Sequence, residues 1–254
     1  MAAVAPGELR ALVFDVFGTL VDWRGSIARE ARELLAPRGV SAEWHGFADA
    51  WRAQYQPAME EVRSGKIPFS KLDVLHRRNL DVVLKDFAIH DLDEAVRVHL
   101  NLAWHRLDAW PDVAPGLQRL RERFRIAPCS NGNVSLMVDL ARRNGLPWDA
   151  ILGAEFARDY KPKAVVYQQA AIAFDCEPAQ VLMVAAHSND LAAAAAAGLR
   201  TAHIARPDEK GPGRGERGPS VAVDFAARDL LDLADQLDAR TQQRTTDSKP
   251  EANA

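Results

Sequence analysis

Four apolar residues, Ala11–Phe14, run without interruption into an aspartate, and the turn that follows reads Asp15-Val16-Phe17-Gly18-Thr19-Leu20. A short strand with no polar alternation buries both of its faces, which is the situation of an inner strand of a parallel sheet. Such a sheet obliges the rest of the chain to supply helices for both sides. It also leaves a carboxylate where the strand ends. Glycine at 18 lets the backbone fold close to a ligand, the turn amides, that of Val16 among them, can face an anion, and Thr19 adds a hydroxyl donor. Taken alone, an aspartate in this place is as readily a turn former or a helix cap.

The remainder of the sequence narrows the choice. From Arg24 to about Val113, apolar residues recur at three- and four-residue spacing over 27–35, 47–63, 70–84 and 92–107, which predicts a separate helical subdomain with no strand inside it. Beyond it the pattern alternates. Pro115-Gly116 opens a helix, RIAPCS is a strand ending at Ser130-Asn131-Gly132, and 136–144 is a helix closed by Gly145. AILGA leads to Tyr160-Lys161-Pro162, and a helix from about 164 to 174 precedes VLMVAA, which ends at His187. Residues 191–197 form an alanine-rich helix, and TAHIA is the last clear strand. Strand–helix alternation predicts an α/β fold with a parallel sheet covered on both faces, made of residues 8–22 and 114–240, with the helical subdomain at 23–113. The stretch 207–220 is a loop of glycine, proline and charge, and 241–254, almost without apolar residues, is predicted to be disordered. Asp15, Ser130, Lys161 and Asp190 each fall at or shortly after a strand's C-terminal end, the edge at which open parallel sheets bind ligands.

Composition excludes several classes. The net charge of −3 gives no field that would gather nucleic acid or an anionic membrane. The first apolar run is only strand length, and the N-terminus lacks the pattern of a secretory signal. Cys129 and Cys176 are too far apart in sequence to suggest a zinc site or a disulfide framework. A soluble cytoplasmic protein is the expectation.

FDVFGTL, the serine of CSNGN, Lys161 in YKPK and Asp190 in VAAHSND, in that order, resemble the four motifs of the haloacid dehalogenase superfamily. The resemblance implies a Rossmann-like core with an all-helical cap inserted between the first and second motifs, where residues 23–113 fall. Most members of that superfamily transfer phosphoryl groups with magnesium. They carry a second aspartate two residues after the nucleophile and a paired acid in the fourth motif. Here those places hold Phe17 and Ala186. A phenyl ring cannot protonate a leaving oxygen, and magnesium prefers a shell of oxygen ligands. Halide needs no general acid. FDVFGTLVDWR, SNGN, YKP followed by a tyrosine, and VAAH look like the type II L-2-haloacid dehalogenases.

That resemblance implies a hydrolase for short 2-haloalkanoic acids with no cofactor or metal, and a homodimer. Asp15 would attack C2, expel halide and form an ester that water then hydrolyses. Lys161 would keep Asp15 ionised, and Asp190 with Asn131 would activate the water. Ser130, Thr19 and the amides of the first turn would hold the substrate carboxylate. Arg52, on a predicted helix, would meet halide or carboxylate, as would Phe17 and Tyr167 from the pocket wall. His187 departs from the common pattern, which has an asparagine there, and a histidine at that position can titrate near neutrality. Hydrolysis of another small activated carboxylate, a magnesium-dependent phosphatase and a non-enzymatic binding protein remain the alternative readings.

Overall fold

The apolar run before Asp15 forms strand β1 (Ala11–Phe14), buried along its whole length. The chain then turns into a two-residue strand, β2 (Val21–Asp22), and a series of helices: α1 (Trp23–Leu35), α2 (Trp44–Ala53), α3 (Tyr55–Arg63), α4 (Leu72–Asp86) and α5 (Glu94–Asn101). A second two-residue strand, β3 (Asp108–Ala109), pairs antiparallel with β2, so the helical stretch departs and returns through one ribbon. There follow α6 (Val113–Arg121), β4 (Arg125–Ser130), α7 (Val134–Asn144), β5 (Leu152–Gly153), α8 (Ala154–Ala157) and α9 (Ala164–Ala173). The chain closes with β6 (Val181–Ala185), α10 (Ser188–Ala196), β7 (Arg200–Ile204), β8 (Phe225–Ala227) and α11 (Leu230–Asp247). This computed structural model describes the backbone of residues 8–247 and the side chains of residues 8–239.

Six strands form one sheet in the order β5-β4-β1-β6-β7-β8, with every pairing parallel. Because successive strand residues point to opposite faces, the inner strands feed two cores. Leu12, Phe14, Ile126, Leu182 and Val184 pack with residues of α6, α7 and α11, whereas Ala11, Val13, Ala127, Cys129 and Met183 pack with α9 and α10. Helices therefore cover both faces, as the strand–helix alternation predicts. Strand order reverses at β1: β4 and β5 lie to one side, and β6, β7 and β8 to the other. The connections after β1, β4 and β6 diverge there and leave a crevice beyond the strand ends.

Helices α1 to α5 bury an aromatic cluster. Trp51 donates its indole N–H to the His76 carbonyl at 3.1 Å, and the His76 ring stacks on Trp104 with centroids 4.3 Å apart. Phe17, from the turn after β1, inserts edge-on among Tyr55, His76 and Trp104, so one ring of that turn belongs to the helical layer.

Several local expectations change. The helix expected over 47–63 is two helices broken at Gln54, because Pro57 has no N–H to continue the ladder and stands in the first turn of α3 instead. The helix expected over 92–107 ends at Asn101 and tightens into a 3₁₀ turn over Leu102–Arg106. The alanine-rich helix begins at Ser188, which puts Asp190 in its first turn. β8 is a three-residue edge strand that the sequence pattern did not signal. Helix α11 extends to Asp247, into the segment 241–254 read as a tail, and residues 248–254 lie outside the described residues. Among the described residues no helix is long and apolar enough to cross a membrane.

Candidate active site

The β1 turn delivers the Asp15 carboxylate into the crevice with its two oxygens in different company. Oδ1 accepts from the Lys161 ammonium at 2.9 Å. Oδ2 accepts from the Thr19 hydroxyl at 2.7 Å and faces His187 Nδ1 at 3.1 Å. Thr19 Oγ1 itself accepts the Ala186 N–H at 2.9 Å, so its single hydrogen is left pointing at Asp15. Burial pushes the Asp15 carboxyl upward, but Lys161 and His187 outweigh it and hold the group well below the usual carboxylate range.

Lys161 also reaches Asp190 Oδ2 at 2.6 Å, and the Tyr167 hydroxyl donates to Asp190 Oδ1 at 2.5 Å. Burial disfavours the ammonium, yet the two carboxylates keep it charged, with its pKa raised well above the usual lysine value. Asn131 accepts the backbone N–H of Lys161 at 2.9 Å, which ties the loop after β4 to the lysine. Arg63 of α3 donates to the Lys161 carbonyl at 2.9 Å, so the helical layer also grips this residue.

On the other side of Asp15, His187 Nε2 lies 3.1 Å from Glu209 Oε2, and Glu209 Oε1 accepts the Trp23 indole N–H at 3.0 Å. Burial alone would discharge the imidazole. Its hydrogen bonds to Asp15 and Glu209 instead carry it up to about 10, so His187 is a cation at neutral pH. Glu209 sits in the glycine-rich loop after β7, and that loop is anchored by Arg206. The Arg206 guanidinium makes a bidentate pair with Asp112 at 2.9 and 2.8 Å and donates to the Thr19 carbonyl at 2.8 Å. Gly18 explains why the two loops can meet. Its φ is +87°, and a Cβ there would stand 2.2 Å from Glu209 Oε1.

Arg52 is a cation of another kind. Its guanidinium carbon lies 4.0, 5.4 and 5.6 Å from the ring centroids of Tyr55, Trp23 and Phe17. One of its terminal nitrogens is buried without a hydrogen-bond partner among the described residues. A guanidinium caged by aromatic rings at a cavity wall has the chemistry to receive an anion.

A cavity of about 1190 Å³ opens over these groups, with Asp15, Arg52, Asn131, Lys161, His187 and Asp190 in its wall. Of the other residues singled out from sequence, Thr19 and Tyr167 act from behind the wall through Asp15 and Asp190. Phe17 and Val16 are buried in the core, and Ser130 is fully buried with its hydroxyl accepting the Gly132 N–H at 3.1 Å. Sequence reasoning missed Glu209, Trp23 and Tyr55. Tyr55 and Trp23 carry no local signal beyond helical packing. Glu209 is one of three acids in a charged loop, legible only once His187 is known to need a partner. Among the described residues no group of three or more His, Cys, Asp or Glu could hold a metal ion.

A family model for haloacid dehalogenase-like hydrolases matches residues 9–198. (S)-2-haloacid dehalogenase 4A of Burkholderia cepacia is 30% identical over 202 residues, covering 78% of this chain and 84% of the relative. The crystal structure of the defluorinating L-2-haloacid dehalogenase Rha0230 matches with a TM-score of 0.89 at 42% identity, over 94% of this chain and 100% of that one. That of the L-2-haloacid dehalogenase PA0810 matches with a TM-score of 0.87 at 45% identity, over 91% and 99%. The matched span runs from β1 to the end of α10 and takes in the Asp15 turn, Lys161 and Asp190, and on this agreement of sequence and fold the chain belongs to the haloacid dehalogenase-like hydrolases.

Proposed function

We propose that the protein is a hydrolytic dehalogenase of short 2-haloalkanoic acids that works through an ester on Asp15. The observation that carries this reading is the unequal hydrogen bonding of the two Asp15 oxygens. Oδ2 is held by two donors, whereas Oδ1 has one and keeps a lone pair for attack. No acid stands where a leaving alkoxide would need a proton, because Phe17 occupies that place in the turn and packs into the core. Halide leaves without one. The relatives named as 2-haloacid dehalogenases support the substrate class, and the defluorinating one puts fluoroacetate among the substrates to test.

Magnesium, which phosphoryl-transferring members of the superfamily require, does not fit this donor set. The Lys161 ammonium already bridges Asp15 and Asp190, His187 as a cation occupies the other side of Asp15, and Ala186 offers no side-chain oxygen. No step is routed through a metal.

In the first step the Oδ1–C2 bond forms as the C2–halogen bond breaks. The halide leaves with the bonding pair, and configuration at C2 inverts. Arg52 is suited to receive the halide or orient the carboxylate. In the second step water attacks Cγ of Asp15 and passes a proton toward Asp190, which Lys161 and Tyr167 hold in place. Negative charge then develops on Oδ2, between the Thr19 hydroxyl and the His187 cation, an oxyanion site built before the reaction begins. Collapse breaks the Cγ–Oδ1 bond, Asp190 returns its proton to the departing oxygen, and the product leaves as a 2-hydroxy acid carrying the enzyme's oxygen, while the water's second proton goes to solvent and Asp15 is again a carboxylate.

The test is a single turnover in ¹⁸O-water with enzyme in excess over L-2-chloropropionate. The reading expects label in Asp15, detected by peptide mass, and unlabelled lactate. Label appearing directly in lactate would overturn the ester route, and absence of chloride release would overturn the activity.

A further inference from the structure

We propose that the mouth of the cavity is an outer anion subsite, which favours 2-haloacids bearing a second negatively charged group, the 2-halodicarboxylates. This rests on the dehalogenase reading above and adds a preference within it.

Space is the first observation. A cavity of about 1190 Å³ is on the scale of sites for much larger ligands, roughly 300–1,000 Å³. A three-carbon acid leaves most of it unfilled.

Charge is the second. The outer acids of the wall are all engaged. Asp49 holds Arg24 by two bonds at 2.7 and 2.8 Å, Glu60 holds Arg63 at 2.7 Å, and Glu216 accepts from the Ser188 hydroxyl and backbone N–H. Deeper in, Lys161 bridges Asp15 and Asp190, and His187 bridges Asp15 and Glu209, so each of these three carboxylates has a cation in contact. Three further cations, Lys163, Lys210 and Arg214, line the same cavity and are exposed, with no carboxylate in ion-pair contact among the described residues. Of the inner cations, only Arg52 is without a carboxylate in contact among the described residues, and in the reading above it serves the substrate's own carboxylate or its halide. Three cations at the mouth are then left over.

Their place along the chain is the third. Lys163 follows Lys161 by two residues, and Lys210 directly follows Glu209. A peptide step spans at most about 3.8 Å, so the Cα of Lys163 lies within about 7.6 Å of that of Lys161. A four- or five-carbon diacid with C2 at Asp15 therefore projects its far carboxylate into the reach of these long side chains, whereas a methyl or ethyl tail carries no charge for them to hold.

The experiment compares kcat/KM for L-2-chlorosuccinate and L-2-chlorobutyrate, which share a four-carbon chain. Wild type is measured against Lys163→Met, Lys210→Met, Arg214→Met and the triple variant, with circular dichroism confirming the fold. Exposed ion pairs are individually weak, so the three together should favour the diacid by roughly tenfold in wild type. The triple variant should lose roughly that factor on chlorosuccinate and change less than about twofold on chlorobutyrate. Equal losses on both acids would mean that the cations merely attract any anion, and would overturn the proposal, as would a wild-type preference for chlorobutyrate. Chloride release from chlorobutyrate with no such difference defeats only the subsite. Chloride release from neither acid defeats the dehalogenase reading as well.

Discussion

The imidazole Nε2 of His187 lies 3.1 Å from Oε2 of Glu209, a carboxylate 22 residues further along the chain. Without that partner the histidine would have to hold its charge against burial with Asp15 alone, and it would lose even that anion when Asp15 becomes an ester. In the proposed two-step reaction, Glu209 is thus the group that would keep a positive charge beside Oδ2 throughout. Glu209→Gln should lower the His187 pKa from about 10. In wild type, kcat should stay level up to about pH 9, whereas in the variant it should fall with rising pH from near neutrality. Full pH–rate profiles check this, and an unchanged alkaline limb would remove Glu209 from the mechanism.

Thr19 serves Asp15 with its hydrogen and Ala186 with its lone pair. In Thr19→Val both are lost. One oxyanion donor is worth roughly 10²–10³ in rate, and an orphaned buried N–H costs about 1–3 kcal/mol of stability. Because the donor acts on Oδ2, the hydrolytic step should suffer more than ester formation. Rapid-quench mass spectrometry should therefore find ester accumulating on Asp15 in this variant and not in wild type.

Arg52→Met should weaken the anion pocket while leaving Asp15, Lys161 and His187 in contact. The expected result is a kcat/KM lower by roughly 10²-fold, the scale of a lost charged hydrogen bond with its share of leaving-group stabilisation. Inhibition by added chloride should be lost in parallel. Arg52→Lys should restore little, since an ammonium cannot stack on Tyr55 and Trp23 in the same way.

A stability prediction concerns a different histidine. His105 places Nδ1 2.8 Å from Asp139 of α7 and Nε2 3.1 Å from Asp73 of α4, and Asp73 in turn accepts from Asn133 of the loop after β4 at 2.8 Å. Arg106 and Arg143 share the adjoining pocket. Burial lowers the His105 pKa, but the hydrogen bonds to Asp73 and Asp139 outweigh it, and the net shift is upward. A raised histidine pKa stabilises the fold fully below the unfolded value, about 6.5, and that stability is lost as pH rises through the folded value. Thermal melts should thus show wild-type Tm falling from about pH 6.5 upward by more than in His105→Gln, with the two curves converging at the alkaline end. Parallel curves would show that His105 carries no charge of consequence.

The parts of this molecule written in local pattern were legible beforehand, and those written in long-range contact were not. Unbroken apolar runs at β1 and β6 marked inner strands because nothing polar interrupts them. The carboxylates and lysine at strand ends then had to share one crevice, which is where Asp15, Lys161 and Asp190 meet. Ser130 resisted the same logic. It ends its strand as expected, yet its hydroxyl turns inward to the Gly132 amide, a choice of rotamer that no spacing encodes. Glu209 escaped because its loop has no periodicity and its partner is on another element. The break at Gln54 was readable from Pro57, but continuous apolar spacing across it masked the proline's effect. Phe17 was informative by what it replaces, while its insertion among the aromatic rings of the helices depends on packing that only the fold supplies.

The ribbon of β2 and β3 has a consequence for how such a protein can be remodelled. Departure and return lie side by side, so residues 23–107 hang from the sheet like a pendant on a double cord, and another pendant could be tied to the same two ends without rethreading any strand of the main sheet. The exchange would not be entirely free. Phe17 hangs with the sheet but lodges in the pendant, and a transplanted helical layer would have to bring its own socket for that ring or leave an oily stub facing water beside Asp15.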